Sequence, residues 1–168
     1  MSIERVISGG QSGVDRAALD LAIEFGIDSG GWIPKGRLAE DGPLPRRYKM
    51  TETPTEDYAQ RTKWNVRDSD ATLLIFDGEL AGGSALTATL AEQLGRPCFR
   101  ADLRAKPANE WVDGILAWLE RGEFKILNVA GPRSSKDPAI YDKACNVLRP
   151  VLVGVKGARS GSGVVSTC

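Results

Sequence analysis

The sequence predicts a doubly wound α/β domain, with a mostly parallel sheet of about five or more strands and helices on both faces. Three observations carry that expectation. Short apolar runs are bounded by turn signals, segments with helical apolar spacing lie between them, and the two kinds of segment alternate along the chain. A chain of 168 residues with 42% hydrophobic content is about one domain and can bury a proper core.

The apolar runs are RVIS at 5–8, GGWIP at 30–34, ATLLIFD at 71–77, PCFRA at 97–101 and FKILNVA at 124–130. Each reads as a strand. The first helix places Val14, Ala17, Ala18, Leu21, Ala22 and Phe25 on one face and stops at Gly26. A second is expected from Thr53-Pro54, where Glu56 completes a capping box. A third covers roughly 84–94 and ends before Pro97. The fourth stacks Trp111, Ile115, Trp118 and Leu119 up to Gly122, and the fifth opens at Asp137-Pro138 and buries Ile140, Tyr141, Ala144, Cys145 and Leu148. The domain is expected to span 1–152. Residues 153–168, rich in glycine and serine, read as a flexible tail to which no function is assigned.

Charge and composition narrow the chemistry. Lysine and arginine number 22 against 22 acidic residues, so no overall charge marks a nucleic-acid or membrane-surface binder. No leader pattern and no apolar stretch of about 20 residues is visible, and a cytoplasmic protein without a membrane partner is expected. Three cysteines, Cys98, Cys145 and Cys168, have no paired spacing, which fits a reducing compartment. Cys98 and Cys145 read as small core residues and Cys168 as a tail thiol. There is no histidine, which removes histidine-based nucleophilic catalysis and imidazole metal sites. Neither zinc nor haem is expected.

In an open parallel sheet, ligands bind beyond the carboxyl ends of the strands, so the loops that follow strands are the informative ones. The first, GGQSG, gathers Gly9, Gly10, Gln11, Ser12 and Gly13 where a strand runs into a helix. Its glycines admit a sharp turn and a close ligand, and the helix start offers free N–H groups to a phosphate. The same loop also reads as a tight turn with Ser12 as N-cap. Asp15 just behind it either pairs with a neighbour or lends a carboxylate to the ligand. A second glycine pair, Gly82-Gly83 before Ser84, repeats the device after the strand that ends at Asp77. The third, NVAGPRSSKDP, brings Gly131, Arg133, Ser135 and Lys136 ahead of another helix, where a forked guanidinium can clamp an oxyanion.

Residues 33–67 hold eight basic side chains against five acidic ones. This long, proline-stiffened segment is expected to fold over the crevice, with Lys35 and Arg37 contributing to the site while Lys49 and Lys63 solvate the surface. Trp64 within it reads more readily as a helix residue packed on the sheet than as a platform for a flat heterocycle.

Five blocks, SGGQSGVDRAALDLA, GGWIPKGRLAEDGPLPRRY, ETPTEDYAQRTKWNVRDSDATLLIFDG, GGSALT and LNVAGPRSSKDPAIY, together resemble the family of molybdenum cofactor carrier proteins. That family sits in a broader superfamily of Rossmann-like folds with the LOG-type phosphoribohydrolases and the DNA-processing protein A fold. The resemblance spans about residues 3–152. It implies a Rossmann-like domain in a homo-oligomer, dimer or tetramer, whose strand-end loops hold a phosphorylated small molecule, molybdopterin above all, with molybdoenzymes as acceptors. Molybdopterin holds its metal on its own dithiolene sulfurs, so the missing histidines fit. The hydrolases of the superfamily carry PGGxGTxxE, and the matching stretch here, Ala81 to Thr89, lacks the proline, the third glycine and the glutamate. Thr89 stands where the acid belongs, with Asp15, Asp41 and Asp77 as the carboxylates left to replace it. A binding protein without catalytic residues is the leading expectation, an N-glycoside hydrolase of nucleoside monophosphates the second, and a nucleotide sensor the third. Nucleic acid is not an expected partner.

Overall fold

The computed structural model describes residues 3–161. Its central sheet has five parallel strands in the order β2-β1-β7-β5-β6. These are β1 (Arg5–Ile7), β2 (Asp28–Gly30), β5 (Ala71–Phe76), β6 (Cys98–Asp102) and β7 (Ile126–Ala130). Two short strands, β3 (Trp32–Ile33) and β4 (Thr51–Glu52), pair in parallel as a separate small sheet. The helices are α1 (Val14–Glu24), α2 (Tyr58–Arg67), α3 (Gly82–Gln93), α4 (Ala108–Gly122) and α5 (Ile140–Gly161).

All six residues of β5 are buried, because helices cover both sides of it. Leu73 and Ile75 join the main core with Val14, Leu21, Ile115, Leu127 and Val147 under α1, α4 and α5. Leu74 and Phe76 point the other way, toward Ala88 of α3. This is the Rossmann-like doubly wound arrangement. The chain moves outward from β1 to β2, then crosses back to β5, and β7 returns between β1 and β5. The direction of winding therefore reverses at the centre of the sheet, where such folds open a crevice.

Three expected boundaries change. The run 30–34 is not one strand: Gly30 ends β2, and Trp32 begins β3 in the other sheet. Gly31 makes the break at φ 128°, and a Cβ there would lie 2.1 Å from the Ser8 carbonyl oxygen. Asn65 holds the new direction, accepting from Trp32 N at 2.8 Å and donating to Trp32 O at 2.9 Å. The helix expected from Thr53-Pro54 starts at Tyr58. Thr53 N continues the β3–β4 pairing by donating to Ile33 O at 2.8 Å, and Asp57 caps the helix by accepting from Ala59 N at 2.9 Å.

The third change concerns the expected tail. Residues 153–161 prolong α5. Val151, Leu152 and Val155 of this helix are fully buried, and the missing Cβ of Gly154 lets it close on Leu116 of α4. Apolar burial thus outweighs the low helix propensity of the glycines. Residues 162–168, with Cys168, lie outside the described residues. Cys98 and Cys145 are half-buried free thiols packed against the cores. No helix among the described residues is long and apolar enough to cross a membrane.

Candidate functional site

A cleft of about 650 Å³ opens at the carboxyl ends of β1, β5 and β7. It stands at the reversal of strand order, where the fold class predicts it. From the loop after β1 comes Gln11, and from the first turn of α1 comes Asp15. The β5 end supplies Asp77, Gly82, Gly83 and Ser84, and the β7 end supplies Gly131, Arg133, Ser135 and Lys136.

Six expected site residues do not line it. Gly10 takes φ 70° and packs toward Ile33 and Leu44. Gly13, at φ 83°, lets the start of α1 press against the β7 loop, where a Cβ would meet Pro132 O at 2.3 Å. Gly13 is also the N-cap of α1, with no side-chain cap. Ser12 is therefore not the cap: its hydroxyl donates to Glu40 and accepts from Ser134 N at 3.2 Å. Gly9 lies behind the floor, where its lack of a side chain makes room for Arg61 and Asp15.

Lys35 is exposed, and its backbone N–H donates to Thr55 O. Arg37 gathers three carbonyl oxygens, those of Leu44, Pro45 and Tyr48, at 2.8–2.9 Å. It shapes the long loop and does not reach the cleft, because a guanidinium with several donors satisfies a tight run of carbonyls that would otherwise be orphaned. Trp64 packs edge-on against Trp32 at 4.8 Å, outside the cleft.

The long loop is tied to the site by Glu40. Its carboxylate accepts from the hydroxyls of Ser12 and Ser135 and from Ser135 N at 3.1 Å. Burial pushes this carboxyl up, but the Ser12 and Ser135 hydrogen bonds outweigh it and hold it below its ordinary value. A carboxyl lowered on folding adds stability above its unfolded value of 4.5 and loses it as pH falls through the folded value. Glu40→Gln is accordingly expected to lower the urea midpoint at pH 7, with the difference from the parent shrinking below pH 4.5. Equal differences at pH 7 and pH 3.5 would show that the charge of Glu40 does not hold the loops together.

The floor holds an ion pair of Asp15 with Arg61, a residue of α2 at one face with Tyr58. Arg61 Nη1 and Asp15 Oδ2 are 3.6 Å apart, with side chains 11% and 4% exposed. Gln11 N also donates to Asp15 Oδ2, at 3.3 Å. Burial raises the Asp15 carboxyl above its ordinary value, although Arg61 and the Gln11 N–H pull it down. Above the floor, the Arg133 guanidinium lies 4.4 Å from the centroid of the Tyr58 ring, within cation–π range.

At the rim, Asp77 accepts from Lys143 and from Arg104 Nε at 3.2 Å, while Lys143 also donates to Asp137 at 3.0 Å. Lys143 first, with help from Arg104, holds the Asp77 carboxyl below the usual range despite partial burial. Arg104 lies across Gly78, whose absent Cβ it would meet at 2.5 Å. Four cations, Arg61, Arg104, Arg133 and Lys136, line the cleft with four carboxylates, Asp15, Asp77, Glu79 and Asp137. Arg61 and Arg104 are already paired. Among the described residues Arg133 and Lys136 have no carboxylate within ion-pair distance, although the Arg133 charge acts on Asp15 and Glu40.

Helix α3 starts in this cleft without a side-chain cap, with Ala81 extended at the N-cap and no acidic residue in the first turn. Gly82 has φ 55°, and a Cβ on either Gly82 or Gly83 would meet nothing within 4 Å. Packing therefore does not require glycine at Gly83, which lines the cleft. Thr87, one turn on, returns its hydroxyl to Gly83 O at 2.8 Å. Thr89 is exposed, bonds back to Ala85 O and does not line the cleft. Asp41 pairs with Arg16 at 3.0 Å outside it.

Arg61, Glu79, Thr87, Arg104 and Asp137 line the cleft without having been expected there. Arg104 and Asp137 had a signal, since both follow strand ends. Arg61 is on a helix and reaches the site by helical spacing from Tyr58, which the search of strand-end loops passes over. Among the described residues, no group of three or more His, Cys, Asp or Glu side chains is placed to hold a metal ion.

A search of curated proteins finds no match. Among solved structures, the chain is similar to the 1.45 Å crystal structure of a Syntrophus aciditrophicus SB protein named "Putative molybdenum carrier protein". The two share 49% identity and a TM-score of 0.89, over 90% of this chain and 96% of that one. The family model for circularly permutated YpsA SLOG proteins matches residues 6–152. With that match across nearly all of the folded domain, the chain belongs to the circularly permutated YpsA SLOG family.

Proposed function

We propose that the protein is a carrier that binds a phosphorylated heterocycle in this cleft, molybdenum cofactor being the ligand that best fits. The observation that carries the reading is the uncapped start of α3, opened by Gly82 and Gly83, in the same cleft as the Arg133 and Lys136 cations. Free N–H groups, the positive helix end and a guanidinium without a hydrogen-bond partner among the described residues together suit a phosphate monoester. The polar floor around Gln11, Asp15 and Arg61 suits the planar, hydrogen-bonding ring at the other end of such a ligand. A molybdenum held by the pterin's own sulfurs asks for no protein ligand. The Syntrophus protein is named for carrying molybdenum, which agrees with a molybdenum-containing cargo, with molybdoenzymes as the natural acceptors.

The fit also favours binding over hydrolysis. Asp15 is held by Arg61 and the Gln11 N–H, Asp77 is committed to Lys143 and Arg104, Asp41 is outside the cleft, and Thr89 offers neither a carboxylate nor a place in the site. Titration with nucleoside monophosphates and with molybdenum cofactor, read for both binding and release of free base, separates the two activities. Binding without base release is expected. Release of base from a monophosphate would replace the carrier reading by an N-glycoside hydrolase.

Arg133→Ala is expected to weaken a phosphorylated ligand by about 1.5–3 kcal/mol, the scale of a charge-assisted hydrogen bond. Calorimetric titration of parent and variant with the same monophosphate measures it. Unchanged affinity would remove Arg133 from the site.

A further inference from the structure

The turn after β7 already holds an anion, and that anion belongs to the chain itself. Ser134 and Ser135 lie in a turn closed by Lys136 N, which donates to Arg133 O at 3.0 Å. Successive N–H groups in a turn make a concavity suited to an oxyanion. Ser135 gives its N–H, at 3.1 Å, and its hydroxyl to the Glu40 carboxylate. Ser12, which accepts from Ser134 N at 3.2 Å, gives its own hydroxyl to the same carboxylate, and the Arg133 charge acts on it as well. Arg133, Ser135 and Lys136 line the cleft, so Glu40 sits on donors that the anion of a ligand would otherwise meet.

The mounting of Glu40 separates its side chain from the loop that bears it. On one side Leu38 O accepts from Gln11 Nε2 at 2.9 Å. On the other, Asp41 takes both Arg16 nitrogens, at 3.0 and 3.1 Å, and Arg16 also donates to Gly10 O. These anchors hold the loop without Glu40, whose own residue is exposed. Its carboxylate can therefore rotate into water, which replaces the lost donors at a modest net cost. An arriving phosphate cannot share the seat with it. The two anions repel at contact distance, and each N–H or O–H donor has one proton to give.

We propose that Glu40 is a tethered gate of the cleft: its carboxylate occupies the oxyanion seat of the β7 turn and swings out when the phosphate of a ligand takes its place. The gate weakens binding, because a ligand's apparent affinity falls with the fraction of molecules whose seat is free. A purely structural latch has the opposite consequence. Without Glu40 the β7 turn and the long loop would lose their shared contact, and the seat would hold phosphate less well. The sign of the change in affinity tells gate from latch. The inference rests on the reading of the cleft as a phosphate-binding site and names the regulation of that site.

The test is calorimetric titration of the full chain with inorganic phosphate, in the parent protein and in Glu40→Gln and Glu40→Ala. Both variants are expected to bind phosphate about 10- to 100-fold more tightly than the parent, the value of one charge-assisted hydrogen bond, even as they unfold at lower urea. Glu79→Gln is the control for charge. Glu79 also lines the cleft but makes no contact with the Ser12–Ser135 seat, so its removal should gain much less. In the parent itself, saturating phosphate should shift the carboxyl carbon resonance of Glu40 in NMR spectra, a readout that stands even if a variant does not fold. An unshifted resonance, Glu40 variants that bind phosphate no better than the parent, or an equal gain in Glu79→Gln overturns the gate and leaves the phosphate seat standing. Absence of phosphate binding from the parent and from every variant overturns both.

Discussion

Arg61→Met is expected to destabilise the protein by about 3–5 kcal/mol at neutral pH, the usual cost of removing one partner from a buried ion pair. The pair itself need not stabilise the fold, since desolvating two charges offsets most of their attraction. What the substitution leaves behind is the expensive state: an Asp15 carboxylate under the cleft with its counter-charge gone. That expectation has a pH signature. A carboxyl raised on folding favours the folded state fully below its unfolded value of 3.8, and the contribution is lost as pH rises through the folded value. Removing Arg61 removes a pull that lowers Asp15, so the folded value climbs further and the cost of the variant grows from acid to neutral pH. Urea unfolding at pH 5 and pH 7 should show a larger difference from the parent at pH 7, and Asp15→Asn added to Arg61→Met should recover much of it. A loss of the same size at both values would mean that packing, and not the charge of Asp15, sets the cost.

The second large effect is on binding with the fold untouched. Gly83→Leu should abolish measurable binding of phosphorylated ligands, a loss of at least about 100-fold or ~2.7 kcal/mol. A Cβ at Gly83 meets nothing within 4 Å and Gly83 does not adopt a left-handed φ, so the fold has no objection to a side chain. Leucine is also the better helix former, and the melting temperature should hold or rise slightly. The side chain would project into the space beside the start of α3. Retained affinity with an unchanged melting temperature would show that the ligand does not approach this helix start. A collapse of the fold would show instead that the glycine serves packing.

Much of the fold was legible because its signals are local. The β5 run is continuously apolar because both of its faces are buried, and the helices on either side carry regular apolar spacing. The division of 30–34 between two sheets was not legible. It depends on Gly31 facing Ser8 and on Asn65 reaching back 33 residues to Trp32, both of them tertiary contacts. Thr53 shows the same limit from the other side: a local capping pattern yields when the backbone of that residue is already paired with Ile33.

The strand-end rule located the cleft but did not sort its residues. Gly82, Gly83 and Arg133 line it as expected, since each follows a central strand. Lys35 and Arg37 were drawn in by the charge of a long loop. Arg37 spends its donors on the carbonyls that give this loop its shape, which no charge count distinguishes from ligand binding. Arg61 and Glu40 went unassigned for opposite reasons. One reaches the floor from a helix, and the other is a carboxylate in a segment read for its positive charge, yet it joins that segment to the β7 loop.

The measurement closest to the central claim is native mass spectrometry of the chain incubated anaerobically with molybdenum cofactor, alone and against excess inorganic phosphate. The account predicts a discrete cofactor adduct on the folded protein that phosphate competes away, and its loss in Gly83→Leu. Absence of any adduct from the folded parent protein, or an adduct that Gly83→Leu retains in full, would contradict it.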